Sequence, residues 1–295
     1  MKPRSPHNPR GTKCLAVGLA LAWTALSVPA PAGARDPEPL VVATYAYPQR
    51  DRAAAIRPLA DYLGRQLKRP VEVRVLASPT ALIAGMASGE VDIAVPNLHG
   101  YLQALRLPAG SVATLPVPAV PPAQAQRYRA VIVSRRPLSG ATLASDAAGL
   151  RLVLVGPDSA SGGFVPRGHL AELGIETPET AFARVDYAGS HAASLAWLQE
   201  GRADVAALAA DVYDAAPHAD THEVWRSPVI PPGPLLCRPA AHLDCAGVGA
   251  ELLAAEGHDP AVMAGLRAGW PEFGDATRLE PADEAALAKL AERID

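Results

Sequence analysis

Val153-Leu-Val-Gly-Pro-Asp-Ser-Ala-Ser-Gly-Gly-Phe-Val-Pro166 decides how the rest of the chain is read. An apolar β-type run passes through a short Ser/Gly turn into a helix. Such a turn points free backbone N–H groups and hydroxyls outward at a helix N-terminus, a geometry that suits a small anion. Gly162 and Gly163 permit close approach of a ligand to the backbone. Ordinary capping uses the same residues, with Ser159 or Ser161 satisfying orphan amides, so the motif alone leaves both readings open.

Strands and helices alternate outward from this stretch. Upstream, Leu40–Thr44 and Val71–Leu76 read as strands. Between them Ala55, Ile56, Leu59, Leu63 and Leu67 fall at helical spacing, which predicts a helix over Arg52–Leu67. Thr80–Ser88 reads as a helix closed by Gly89, Val91–Val95 as a strand, His99–Leu105 as a helix start and Tyr128–Ser134 as a further strand. Downstream, Thr180–Tyr187 holds a strand, Ser190–Glu200 a helix and Ala203–Leu208 a strand. Ala246–Glu256, Pro260–Ala268 and Asp283–Arg293 are helical. This alternation predicts an α/β fold. The helical end is too short for its own core, so it is expected to pack back onto the first block. Two lobes follow: 35–130 with 232–295, and 131–231. Crossing segments near 125–135 and 226–238 join them.

Tyr187-Ala-Gly-Ser-His191 repeats the device of polar groups at a strand-to-helix turn. Gly201-Arg-Ala-Asp204 resembles Gly89-Glu-Val-Asp92, each pairing a helix end with a strand opened by an aspartate. Two blocks built alike, with polar strand ends, predict a ligand cleft between them.

The chain's beginning and composition set further bounds. Lys2, Arg4, Arg10 and Lys13 precede an apolar run from Cys14 to Val28, and Ala32-Gly33-Ala34 supplies small residues at cleavage positions. This is the pattern of a secretory signal peptide over 1–34, with an uncleaved anchor helix as the alternative. The whole chain has 295 residues, 27 Lys and Arg against 30 Asp and Glu, and net charge −3. Loss of 1–34 removes four basic residues and no acidic one, which takes the net charge to −7. That balance argues against a nucleic-acid partner. Of 3 cysteines, Cys237 and Cys245 remain. Export permits a disulfide between them, and free thiols are the alternative.

Pro58-Leu-x-x-Tyr-Leu63, Gly89-x-Val-Asp-Ile-Ala94, Tyr101-x-x-Ala104, Asp158-Ser-Ala-Ser-Gly162 with Pro166, Gly189-Ser-His191 and Trp225-x-Ser-Pro-x-Ile-Pro231 occur in this order. Together they resemble the phosphate/phosphite/phosphonate-type periplasmic substrate-binding proteins of ABC transporters. The resemblance covers nearly all of the chain after the leader. It implies a two-lobe type II periplasmic-binding-protein fold with mixed sheets, flanking helices and two hinge crossings. It also implies capture of a small phosphorus oxyanion, delivery to an ABC permease, a monomer, no cofactor and no catalysis. The family's Ser-Thr-Ser-Gly anion loop corresponds to Ser159, Ala160, Ser161 and Gly162, with alanine in place of threonine. The family histidine corresponds to His191, which follows Ser190. Asp211 falls near the family cleft, and Tyr45, Asn97 and Tyr101 are first-lobe wall candidates. Where the family often opens a helix with an aromatic residue, this chain has Ser78-Pro79-Thr80.

Three other readings carry less. A hydrolase would need Gly two places before its serine, and neither Ser159 nor Ser161 has it. A sensor presenting its ligand state to a membrane kinase would share the fold and differ only in its partner surface. His218 and His222 have ligand spacing, yet Pro217 and the polar surroundings favour a solvated loop over a metal site.

Overall fold

The computed structural model describes residues 38–217 and 220–292. The leader expected over 1–34, His218 and the end of the last helix at Arg293 lie outside these. Two five-stranded mixed sheets organise the chain. The first runs Val71–Leu76, Leu40–Tyr45, Ile93–Ala94, Leu236–Cys237, Ala113–Thr114. Its first three strands are parallel, with Val42 opposite both Val73 and Ile93, and Leu236–Cys237 is antiparallel to its neighbours. The second runs His222–Arg226, Ala130–Ser134, Val205–Ala209, Arg151–Leu154, Arg184–Tyr187. Again three strands are parallel and the fourth, Ala130–Ser134, is antiparallel. A short pair, Leu279–Glu280 with Val117–Pro118, ties the C-terminal stretch to the proline-dense segment.

Helices cover both faces of each sheet, so the central strands are apolar without alternation. Ala130–Ser134 and Val205–Ala209 are buried at every residue. The helix Arg52–Leu67 buries Ala55, Ile56, Leu59 and Leu63 against the first sheet. Asp51 caps it by accepting from Ala54 N, and Lys68 ends it in the left-handed region. The helices at the chain end, Cys245–His258 and Ala261–Gly269, pack in the same core through Val248, Leu252, Val262 and Leu266. A disulfide joins Cys237 and Cys245, with Cα atoms 5.7 Å apart. It pins the start of the helix Cys245–His258 to the antiparallel strand.

The repeated aspartates do the same work in both halves. Asp92 Oδ2 accepts from Val41 N at 2.9 Å, and Asp204 Oδ2 accepts from Arg151 N at 3.0 Å. Each joins its own strand to the start of the neighbouring parallel strand, at the end opposite the cavity described below. The strand expected over Val91–Val95 narrows to Ile93–Ala94, flanked by backbone bonds from Asp92 N to the Val41 carbonyl and from Val95 N to the Ala43 carbonyl. His222–Arg226, which the sequence did not mark as a strand, is an edge strand. Its polar residues face solvent while its backbone pairs with Ala130–Ser134. The chain crosses between the sheets at Tyr128–Ala130 and Ser227–Ile230. These segments bond to each other: Ala130 N donates to Ser227 Oγ at 2.9 Å, and Ile230 N donates to the Tyr128 carbonyl at 2.8 Å.

Candidate functional site

A cavity of about 400 Å³ lies where strands of both sheets end at their carboxyl termini. Tyr45 ends its strand there, and Asn97, Ser159, His191 and Asp211 follow directly on four others. Five of the nine sequence candidates therefore line it: Tyr45, Asn97, Ser159, His191 and Asp211. Ser161, Gly162, Ser190 and Tyr101 do not line it. Tyr101 is 1% exposed and lies in the apolar core beside Leu98 and Leu102.

The Ser159–Gly162 turn is folded tightly on itself. Ser159 Oγ accepts from Gly162 N at 3.1 Å, and Gly162 O accepts from Val155 N at 2.8 Å. A π-type turn, Ala160–Phe164, leads into the helix Val165–Glu172. The helix expected to follow the Ser/Gly turn is present, and its opening turn is of π type. A Cβ on Gly162 would overlap the Val155 side chain, and one on Gly163 would overlap the Gly156 carbonyl oxygen. The glycines are therefore required by the turn's own packing, not by ligand approach as the sequence suggested. Ser161 is fully buried; its Oγ, beside the Tyr128 hydroxyl, makes no hydrogen bond of normal geometry.

The second turn is built alike. Gly189, at φ 81°, turns the chain into the helix His191–Gln199, and Ser190 caps it by accepting from Ala193 N. His191 Nδ1 accepts from Ala209 N at 3.0 Å, which assigns the proton of a neutral ring to Nε2. Burial, helped by the charge of Arg50, pushes the His191 pKa down to about 4. The imidazole is neutral at pH 7 and keeps Nε2–H as a donor.

Sequence reasoning missed Tyr47, Arg50, Arg52, Tyr128 and Glu272, all in the cavity wall. Four of them had a usable signal. Tyr47, Arg50 and Arg52 directly follow the first strand, and Tyr128 opens a crossing segment. Glu272 had none, because it arrives from the far end of the chain in Trp270-Pro-Glu-Phe273. Arg52 is 5% exposed, and its guanidinium carbon lies 3.9 Å from the Trp270 ring centre and 4.5 Å from that of Tyr45. Burial raises the Glu272 pKa, with Asp211 adding to the effect and Arg52 and Arg50 opposing it. Burial also takes the Tyr45 pKa up to about 12 and that of Tyr128 well above its usual value. Both phenols are neutral hydrogen-bonding groups.

Two contacts cross the cavity mouth to Asp158. Asn97 Nδ2 donates to the Asp158 carbonyl at 2.8 Å, and Thr80 Oγ1 donates to Asp158 Oδ1 at 3.0 Å. Among the described residues no group of three or more His, Cys, Asp or Glu side chains is placed to hold a metal ion.

The sequence profile of a family described as "ABC transporter, phosphonate, periplasmic substrate-binding protein" matches residues 41–279. None of the curated proteins matches the chain. Among solved structures, XAC2383 from Xanthomonas citri bound to ATP is similar at 21% identity and TM-score 0.68, covering 86% of this chain and 96% of that one. PhnD1 from Prochlorococcus marinus in complex with methylphosphonate is similar at 17% identity and TM-score 0.64, with the same coverages. The periplasmic aliphatic sulphonate binding protein SsuA from Escherichia coli reaches TM-score 0.52 at 17% identity, covering 88% of this chain and 86% of its own. These likenesses establish the type II periplasmic-binding-protein fold.

Proposed function

The chain belongs to the periplasmic substrate-binding protein family of phosphonate ABC transporters, and from that premise we propose that it captures a small phosphorus oxyanion for an ABC importer. Phosphonate, phosphite and phosphate are the candidate ligands. One observation carries the reading: a single cavity gathers the Ser159 turn, the Gly189–His191 turn, Arg50 and Arg52 at strand ends of both sheets. Helix N-termini and arginines are the groups that bind oxyanions without needing a metal. Ser159 and His191 bring the two turns to the anion, and Ser161, Gly162 and Ser190 build those turns from behind. Tyr45 and Asn97 stand on the opposite wall. Asp211 accepts from a protonated ligand oxygen or an ammonium substituent.

In this reading 35–130 with 232–295 and 131–231 act as two lobes. They close about the crossing segments at Tyr128–Ala130 and Ser227–Ile230. The leader over 1–34 directs export, and the protein works as a monomer without catalysis.

The test is a thermal-shift and calorimetric titration of the full chain with phosphate, phosphite, methylphosphonate, 2-aminoethylphosphonate, sulfate and taurine. A ligand at 100 times its Kd adds about 2.7 kcal/mol of stability, a shift of a few degrees. The expected result is a selective shift with phosphorus oxyanions. Silence across all four phosphorus compounds would overturn the ligand assignment.

A further inference from the structure

Arg52 is a cation in the cavity wall, and two of its three guanidinium nitrogens have no hydrogen-bond partner. It sits in the first turn of the helix Arg52–Leu67 and is 5% exposed. The Trp270 ring holds its guanidinium at 3.9 Å, with the Tyr45 ring at 4.5 Å and the Tyr47 ring at 5.5 Å. Attraction of the charge to these rings uses none of its N–H groups as conventional hydrogen-bond donors. Nε and Nη1 are both buried and have no hydrogen-bond partner; the Tyr45 hydroxyl lies beside them short of hydrogen-bond geometry. Glu272 shares the wall and feels the charge of Arg52, yet forms no ion pair with it among the described residues. A buried, unpaired guanidinium is strongly unfavourable, and arginine cannot escape by losing its proton.

Three other polar side chains of the wall each have one bond within the protein. Ser159 Oγ takes Gly162 N, and His191 Nδ1 takes Ala209 N. Arg50 Nη1 donates to the Ala268 carbonyl at 3.0 Å. We infer that Arg52 is the charged contact that receives the ligand's oxyanion, through in-plane N–H groups that the Trp270 and Tyr45 rings hold in place. The inference rests on the anion-capture reading above and deepens it. It moves the charge recognition from the Ser/Gly turn to the first helix, and it supplies a strong donor in a site whose turn lacks the middle hydroxyl at Ala160.

The experiment compares the full chain with its Arg52→Gln and Arg52→Lys variants. Calorimetry and tryptophan emission are read against methylphosphonate, inorganic phosphate and sulfate. Loss of a desolvated charge partner weakens binding on the order of a hundredfold, so Arg52→Gln is expected to abolish the signal at concentrations that saturate the parent. Arg52→Lys keeps the charge without the planar fork and is expected to fall between. The unliganded Arg52→Gln protein is expected to melt at or above the parent temperature, because a buried unpaired charge has been removed; a packing role alone would lower it.

Methylphosphonate bound equally by parent and Arg52→Gln would overturn the inference and leave the phosphorus reading standing. Sulfate bound in an Arg52-dependent way, with no phosphorus compound bound, would sustain the inference and overturn that reading. No anion bound by the parent would overturn both. Should Arg52→Gln not fold, Arg52→Lys decides: binding indistinguishable from the parent counts against the fork geometry and overturns the inference.

Discussion

His191 shows how one residue's environment sets its chemistry. Its ring accepts a backbone N–H from Ala209 and is neutral, with a pKa lowered to about 4 against an unfolded value near 6.5. The unfolded chain therefore binds a proton that the folded chain refuses, and stability falls as pH drops from about 6.5 to about 4. The loss is on the order of 3 kcal/mol across that window. A His191→Gln variant, whose side-chain oxygen can still accept from Ala209 N, is expected to show a flatter melting temperature over the same range. Parallel pH profiles of parent and variant would refute this attribution.

Among the elements, the disulfide is the clearest lever. It closes a loop with a sequence separation of 8 residues and fastens the strand Leu236–Cys237 to the helix Cys245–His258. Chain-entropy reasoning gives about 2–3 kcal/mol for a loop of this size. Reduction, or a Cys237→Ala, Cys245→Ala pair, is expected to lower the urea midpoint accordingly. Ligand affinity should change little, since neither residue lines the cavity. At the same scale, much of the secondary structure was legible. The helix Arg52–Leu67 occupies the range its apolar spacing predicts, because its buried face is one continuous stripe. The edge strand His222–Arg226 was illegible, because an edge strand with polar residues needs only its backbone to pair.

Across the whole molecule, the two sheets meet at Asp158. Thr80 Oγ1 donates to its carboxylate, and Asn97 donates to its carbonyl. A Thr80→Val variant removes one bridge over the cavity mouth without touching the wall or a helix cap. Its unfolding free energy is expected to fall by about 1 kcal/mol, because the exposed bonds of Thr80 Oγ1 to Asp158 and from Gln103 Nε2 are both lost. Ligand dissociation is expected to quicken severalfold if the bridge holds the lobes around bound ligand. Stopped-flow release at the parent rate would show that the bridge is dispensable for closure.

The order of residues along the chain is enough to reveal the α/β alternation, the paired strand-to-helix turns and the family. These depend on neighbours in the chain and on the period of apolar residues, which are local properties. Tyr45, Asn97, Ser159, His191 and Asp211 come together in the fold because loops after parallel strands converge at one end of the sheets. Only the tertiary structure decided that Tyr101 is core, that Gly162 and Gly163 serve the turn's own packing, and that Arg52, Trp270 and Glu272 meet at one cavity. Arg52 and Trp270 are joined by packing across more than two hundred residues of chain. No local pattern encodes such a contact, because its energy comes from burial of both partners at once.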